Sequence, residues 1–254
     1  MTRRVFLAAP ALAQSMSYTQ QIDQWRRERE AALKADDGYL TLAGLHWLEE
    51  DKPRSDIAPG HTFLLHKTVV SSNGKPLKPD TDLIHSGTRT FFVIERAGRF
   101  AIRVRDTDSP YRKQFTKLSW YPVKPDYRIQ ARFTPHANPK PVTIPTVIEG
   151  VSENMIAPGV AEFTLNNTPC RLEPVLSGAR LFFIFRDPTA GKSTYPAGRF
   201  LYSDAPDTSG HIELDFNKAY TPPCAFNPYA TCPLPPRHNH LAIPVEAGEL
   251  NYEH

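Results

Sequence analysis

Between residues 18 and 35 the chain has neither Pro nor Gly, and Ile22, Trp25, Arg29 and Leu33 recur at helical spacing, Arg29 through its stem. Arg26, Arg27, Glu28 and Glu30 are charged. Apolar positions three and four apart predict an amphipathic helix that packs one stripe on something larger. Asp36-Asp37-Gly38 ends it, so 14–37 reads as a helical N-terminal unit. Residues 39–48 are apolar but too short and mixed to type by period.

The period then changes to two. Residues 62–70 read as one strand, closed by Ser71-Ser72-Asn73-Gly74; Asn-Gly is a strong hairpin signal because both residues tolerate φ > 0. Segments 90–96, 100–106, 128–133, 142–149, 160–165, 180–185, 199–202 and 211–217 follow, with turn signals between them. In 100–106, Ile102 and Val104 face one way and Arg103 and Arg105 the other. Arg103, Arg105, Arg128 and Arg132 read as solvated strand faces, with anion binding the minority alternative. Pro122-Val123-Lys124-Pro125 is the best candidate linker, dividing an N-terminal β region (38–121) from a C-terminal one (122–254). The fold class is therefore all-β with one N-terminal helix. A small N-terminal β-sandwich precedes a C-terminal β-sandwich or barrel-like region with a long Pro-rich loop. No internal repeat is visible.

Composition sharpens this. Of 25 prolines, five lie before residue 110 and twenty from there on, six of them between Pro222 and Pro236. Proline breaks helix interiors, so the second half is neither a helical bundle nor a doubly wound α/β unit. The net charge of +3 is spread without a basic run, which argues against a nucleic-acid partner. No apolar stretch reaches the ~18–20 residues that span a bilayer. Three cysteines are too few for a disulfide scaffold. The start, Arg3-Arg4 followed by a short apolar run and Ala11-Leu12-Ala13, matches a twin-arginine export signal cleaved after Ala13. Residues 1–13 are then a signal peptide and the protein is exported, periplasmic or extracellular; the alternative is an ordinary or misassigned start on a cytoplasmic protein.

The second half carries distinctive phrases: Phe185-Arg186-Asp187-Pro188-Thr189-Ala190-Gly191, Gly198-Arg199-Phe200-Leu201, Leu214-Asp215-Phe216-Asn217-Lys218-Ala219-Tyr220, and Asn227-Pro228-Tyr229-Ala230-Thr231-Cys232-Pro233-Leu234-Pro235-Pro236. With Leu42-Ala43-Gly44-Leu45-His46-Trp47-Leu48 and Arg103-Val104-Arg105-Asp106, they resemble an uncharacterised, mostly bacterial family, domain of unknown function 1684, over roughly 38–252. The resemblance implies no chemistry.

Candidate chemistry comes from the residues. His211, Glu213, Asp215 and Asn217 alternate onto one predicted strand face. Residues two apart on a strand lie roughly 6.5–7 Å apart, close enough for acid–base work or cation binding; the alternative is a solvent-facing strand. The segment 220–236 is long, irregular and apolar, as ordered functional loops are. Cys224 and Cys232 within it suit a disulfide in an exported protein. With His238 and His240 they also offer zinc or copper ligand types, at no standard spacing. Arg199 suits either a carboxylate clamp or a buried ion pair with Asp187 or Asp215. The predicted pocket set is Arg199, Asp215, Asn217, Tyr220 and Glu249. No Gly-x-Ser-x-Gly elbow, His-Glu-x-x-His or glycine-rich phosphate loop is present, and no cofactor is predicted. Two functions remain: a small-molecule pocket, binding or catalytic, in the C-terminal region, or an interaction protein of the cell envelope.

Overall fold

The computed structural model of the chain describes residues 16–253; the expected signal peptide lies outside them. Helix α1 (Tyr18–Lys34) begins with a reciprocal cap: the Ser17 hydroxyl accepts from the Gln20 N–H, and the Gln20 side chain accepts from the Ser17 N–H. This satisfies two N–H groups that a helix start otherwise leaves unpaired. Ile22 and Leu33 are buried and Trp25 meets Trp120 edge-on, so the predicted stripe is the packed face. Among the described residues no helix is long and apolar enough to cross a membrane.

The strands run β1 (Leu42–Trp47), β2 (Arg54–Ala58), β3 (His61–His66), β4 (Val69–Ser72), β5 (Lys75–Leu77), β6 (Leu83–Ser86), β7 (Arg89–Arg96) and β8 (Arg99–Asp106). After a short helix, α2 (Pro110–Gln114), come β9 (Arg128–Pro145), β10 (Ser152–Leu165), β11 (Thr168–Leu172), β12 (Val175–Ser177), β13 (Arg180–Phe185), β14 (Arg199–Ser203) and β15 (His211–Asp215). Four antiparallel sheets result, ordered β1-β8-β7-β6, β2-β3-β4-β5, β11-β10-β9-β15 and β12-β13-β14. None closes into a barrel. The first two share a core built on Phe63, Phe91, Val93 and Ile102. The last two share one built on Phe133, Phe163, Phe183, Phe185 and Leu214. The chain is all-β with one N-terminal helix, as its periodicity predicts.

Three elements differ from the sequence reading. Residues 62–70 are two strands, because Lys67 turns the chain with φ 57° between β3 and β4. Segments 128–133 and 142–149 belong largely to one strand, β9, which ends at Pro145. Its prolines are tolerated because only Arg128–Arg132 pair with β15; beyond them that side of the strand has no strand partner, and its end meets the Pro-rich loop through the Pro145 carbonyl, which needs no N–H from the proline. Lys140 faces Ala157 and Pro135 faces Gly159, so the extra residues of β9 bend the hairpin. A Cβ on Gly159 would lie 2.4 Å from the Thr134 carbonyl oxygen, so only glycine fits the bend. Lastly, β15 stops at Asp215, where its carboxylate caps a 3-10 turn, Phe216–Lys218, by accepting from the Asn217 N–H at 3.2 Å.

Strand β13 is buried on both faces. Leu181, Phe183 and Phe185 enter the C-terminal core, while Phe182 and Ile184 enter a second one with Phe200, Ala230, Cys232 and Leu42. The Pro-rich loop is thus the cover that the second face of a three-stranded sheet requires. Within 220–236 only Pro228 is exposed. Proline suits such a cover because it limits the entropy lost on fixing the chain and removes N–H groups that would need partners. The stretch 122–125 is also held in place: the Lys124 N–H donates to Asn217 Oδ1 at 3.0 Å and the adjoining Tyr121 N–H to the Gly248 carbonyl at 2.9 Å.

Candidate functional site

Where α1, β8, the β12-β13-β14 sheet and the Pro-rich loop meet, they leave a cavity of about 310 Å³. Phe182, Phe200, Tyr202 and Tyr220 form an aromatic wall, with Phe182 stacked on Tyr202 at 4.7 Å between ring centroids. Arg29, Arg96 and Arg103 bring three guanidinium groups to the same space, against one carboxylate, Glu153. The half-exposed Tyr39 and Leu176 stand at its edge.

Arg103 belongs to the strand face predicted to be solvated. That face is instead covered by the Pro-rich loop, and Arg103 is buried. Its Nη2 meets only neutral oxygens, Thr231 Oγ1 at 3.3 Å and the Tyr229 carbonyl at 3.5 Å, and its Nε has no hydrogen-bond partner. Burial pulls its pKa down to about 10, still well above neutrality, so the group stays cationic. The other two cations are compensated. Arg96 lies 3.7 Å from Glu153 and 3.8 Å from Asp80. Arg29 lies 3.4 Å from Glu249, donates to the Thr221 carbonyl at 2.9 Å and stacks over the Tyr220 ring at 4.5 Å. Burial raises the Glu153 carboxyl despite Arg96, which weakens the one negative charge facing the cavity.

The predicted pocket residues fall in three places. Tyr220 lines the cavity. Glu249 is fully buried behind it and acts on it through Arg29. Arg199, Asp215 and Asn217 do not converge there. Arg199 is buried in an ion pair with Asp187 at 3.2 Å and donates to the Val245 and Ala247 carbonyls, the ion-pair reading of the two drawn from the sequence. Asp215 and Asn217 form a knot with α1: the Tyr18 hydroxyl donates to Asp215 Oδ1 at 2.8 Å and accepts from Asn217 Nδ2 at 2.9 Å. His211 and Glu213 are left at the surface, because the turn after Asp215 breaks the alternation.

Cys224 and Cys232 are side by side as free thiols, not bonded as a disulfide. His238 pairs with Glu173 at 3.2 Å and His240 faces the Pro235 carbonyl at 3.4 Å, so the four residues with zinc or copper ligand types are not gathered into one group. The cavity residues that the sequence did not single out as a pocket include Arg29, Tyr39, Arg96, Arg103, Glu153 and Tyr202. One signal was available: an arginine within the apolar stripe of α1 is placed to carry its charge inward.

The fold is all-β, with an arginine- and aromatic-lined cavity beneath the proline-rich loop. Residues 113–250 match the family described as Protein of unknown function (DUF1684), more than half of the chain, and the chain belongs to that family. The match is narrower than the 38–252 over which the sequence phrases run. It includes Glu153, Tyr202, Tyr220 and Cys232 but not Arg29, Arg96 or Arg103. The chain is also similar to the uncharacterized protein from gene locus rrnAC0354 of Haloarcula marismortui, known from a solution NMR structure. The two are 32% identical over 55% of this chain and 78% of that one, with a TM-score of 0.46. No curated protein matches.

The Glu249 carboxyl is pushed up from 4.5 to about 7, because burial outweighs the attraction of Arg29. The folded state therefore holds a proton that the unfolded chain has already lost. Between about pH 4.5 and 7 this makes stability fall as pH rises, and above about 7 this group adds no further slope. In Glu249→Gln that component of the slope should vanish when denaturant unfolding is followed across the window. An unchanged slope would assign the pH dependence to another group.

Proposed function

We propose that the chain binds a small organic anion with an apolar, ring-sized body in the cavity between α1, β8 and the Pro-rich loop. The observation that carries this reading is Arg103, a buried guanidinium with no carboxylate within ion-pair distance among the described residues. Removing a charge from water costs several kcal/mol unless a partner compensates it. A ligand carboxylate or phosphate would supply that partner, and the guanidinium fork suits either group. The aromatic wall would take the rest of the molecule. About 310 Å³ is at the small end of ligand cavities, which favours a compact, single-ring ligand. The inward packing of the Pro-rich loop gives the interaction-surface reading no comparable support.

Export remains part of the proposal. The capping box of α1 begins at Ser17, so cleavage after Ala13 would leave the helix cap whole. N-terminal sequencing of protein recovered from the producing cell's periplasm should read from Gln14; an unprocessed cytoplasmic chain would refute export.

The binding reading is tested by calorimetry against aromatic carboxylates, organic phosphates and the neutral amides of the same carboxylates. The anions should bind and the amides should not. Arg103→Met should lose at least about tenfold in affinity, which is about 1.4 kcal/mol. It should also be as stable as the parent or more so without ligand, because it removes an uncompensated buried charge. Equal affinity in the variant, or a preference for the amides, would refute the reading.

A further inference from the structure

The cavity floor holds chemistry that anion binding does not use. The Cys224 N–H donates to Cys232 Sγ at 3.3 Å, which sets the two thiols beside each other. The Tyr195 side chain neighbours the Cys224 sulfur and acts on its ionisation. The residues are eight apart, on a segment otherwise fixed by proline and by burial. Cys224 is partly open to solvent, whereas Cys232 is buried and lines the cavity.

We propose that Cys224 and Cys232 form a thiol–disulfide exchange site whose co-substrate is a low-molecular-weight disulfide, R–S–S–R. Cys224 Sγ, as thiolate, attacks one sulfur of the disulfide. That S–S bond breaks, and the departing RS⁻ takes up the equivalent of the proton that Cys224 gave up. Cys232 Sγ then attacks the Cys224 sulfur of the mixed disulfide. The second RS⁻ leaves with the equivalent of the Cys232 proton. Two protein thiols are oxidised to one disulfide and one small disulfide is reduced to two thiols, so electrons and protons balance.

The environment assigns the two roles. The neighbouring Cys232 and Tyr195 side chains lower the pKa of Cys224, while the adjacent Cys224 sulfur and burial raise that of Cys232. A thiol that ionises readily and is reachable is the one that attacks first, and a buried neighbour in contact is suited to resolve the mixed disulfide. Cys170 is an internal control: burial raises its pKa, and its sulfur contacts the Thr168 carbonyl at 3.5 Å rather than another thiol. The site would also bear on the pocket, because Thr231, which accepts from Arg103, is joined directly to Cys232.

The test uses the full chain, reduced and then freed of reductant, incubated with oxidised glutathione. The intact mass should drop by two hydrogens, peptide mapping should find the 224–232 link, and reduced glutathione should reverse it. Cys232→Ser should instead keep one glutathione on Cys224, and Cys224→Ser should stay unmodified at Cys232. The wild-type peptide map decides the matter even if a substituted chain fails to fold. Glutathione appearing on Cys170 alone, no reaction at all, or a Cys224→Ser chain reacting at Cys232 as fast as the parent would overturn the proposal.

Discussion

Arg199 is the constraint on which the rest depends. Residues 241–250 form no strand, yet Leu241, Val245 and Ala247 are part of the C-terminal core. Buried backbone outside a sheet needs side chains to satisfy it. Arg199 does so by donating to the Val245 and Ala247 carbonyls, and its ion-pair partner Asp187 accepts from the Val245 N–H at 2.6 Å. Removing one member of such a pair would leave a charge buried alone. With the tail fixed there, Gly248 can follow at φ 83°, where a Cβ would lie 2.4 Å from the Ala219 carbonyl oxygen. Glu249 is then set against Arg29.

From that point the structure builds outward to the cavity. Glu249 holds Arg29, Arg29 lies on the Tyr220 ring, and Tyr220 is tied to β14 by paired backbone hydrogen bonds with Phe200 at 2.9 Å. The helix that carries Arg29 is fastened a second time, where Tyr18 meets Asp215 and Asn217. A wall assembled from α1, the tail and β14 in this way is held by contacts within the chain itself. The Pro-rich loop completes it, because β13 has a second apolar face that the loop covers together with Leu42 and Ile144. Most of the polar groups the sequence marked out are therefore framework, and the cavity is what the framework encloses.

Local chemistry made much of the fold legible. The stripe Ile22–Trp25–Leu33 specified α1, and Asn73-Gly74 specified its hairpin, with φ values of 50° and 79°. Period-two alternation found the strands but not their register or bends; nothing local at Lys67 distinguishes a turn from a strand. The site was less legible, for a physical reason. Arg103 sits on a strand whose alternation is amphipathic by itself, and its burial is decided by a loop more than a hundred residues away, at Tyr229 and Thr231. Sequence pattern reports which face of an element is polar, not what later folds over it. Arg199 and Asp215 stood out because buried charge is rare, and buried charge serves framework as often as function.

The central claim, that Arg103 is an uncompensated cation awaiting an anionic ligand, is most directly tested by ¹⁵N NMR of the arginine Nε–H groups. Titration with an aromatic carboxylate should shift the Arg103 Nε–H resonance and protect it from exchange, because Arg103 lines the cavity and, among the described residues, has no carboxylate within ion-pair distance. The Arg199 resonance, enclosed by Asp187 and the tail, should stay where it is. An Arg103 signal that does not respond to any anion, while surface arginines do, would contradict the account.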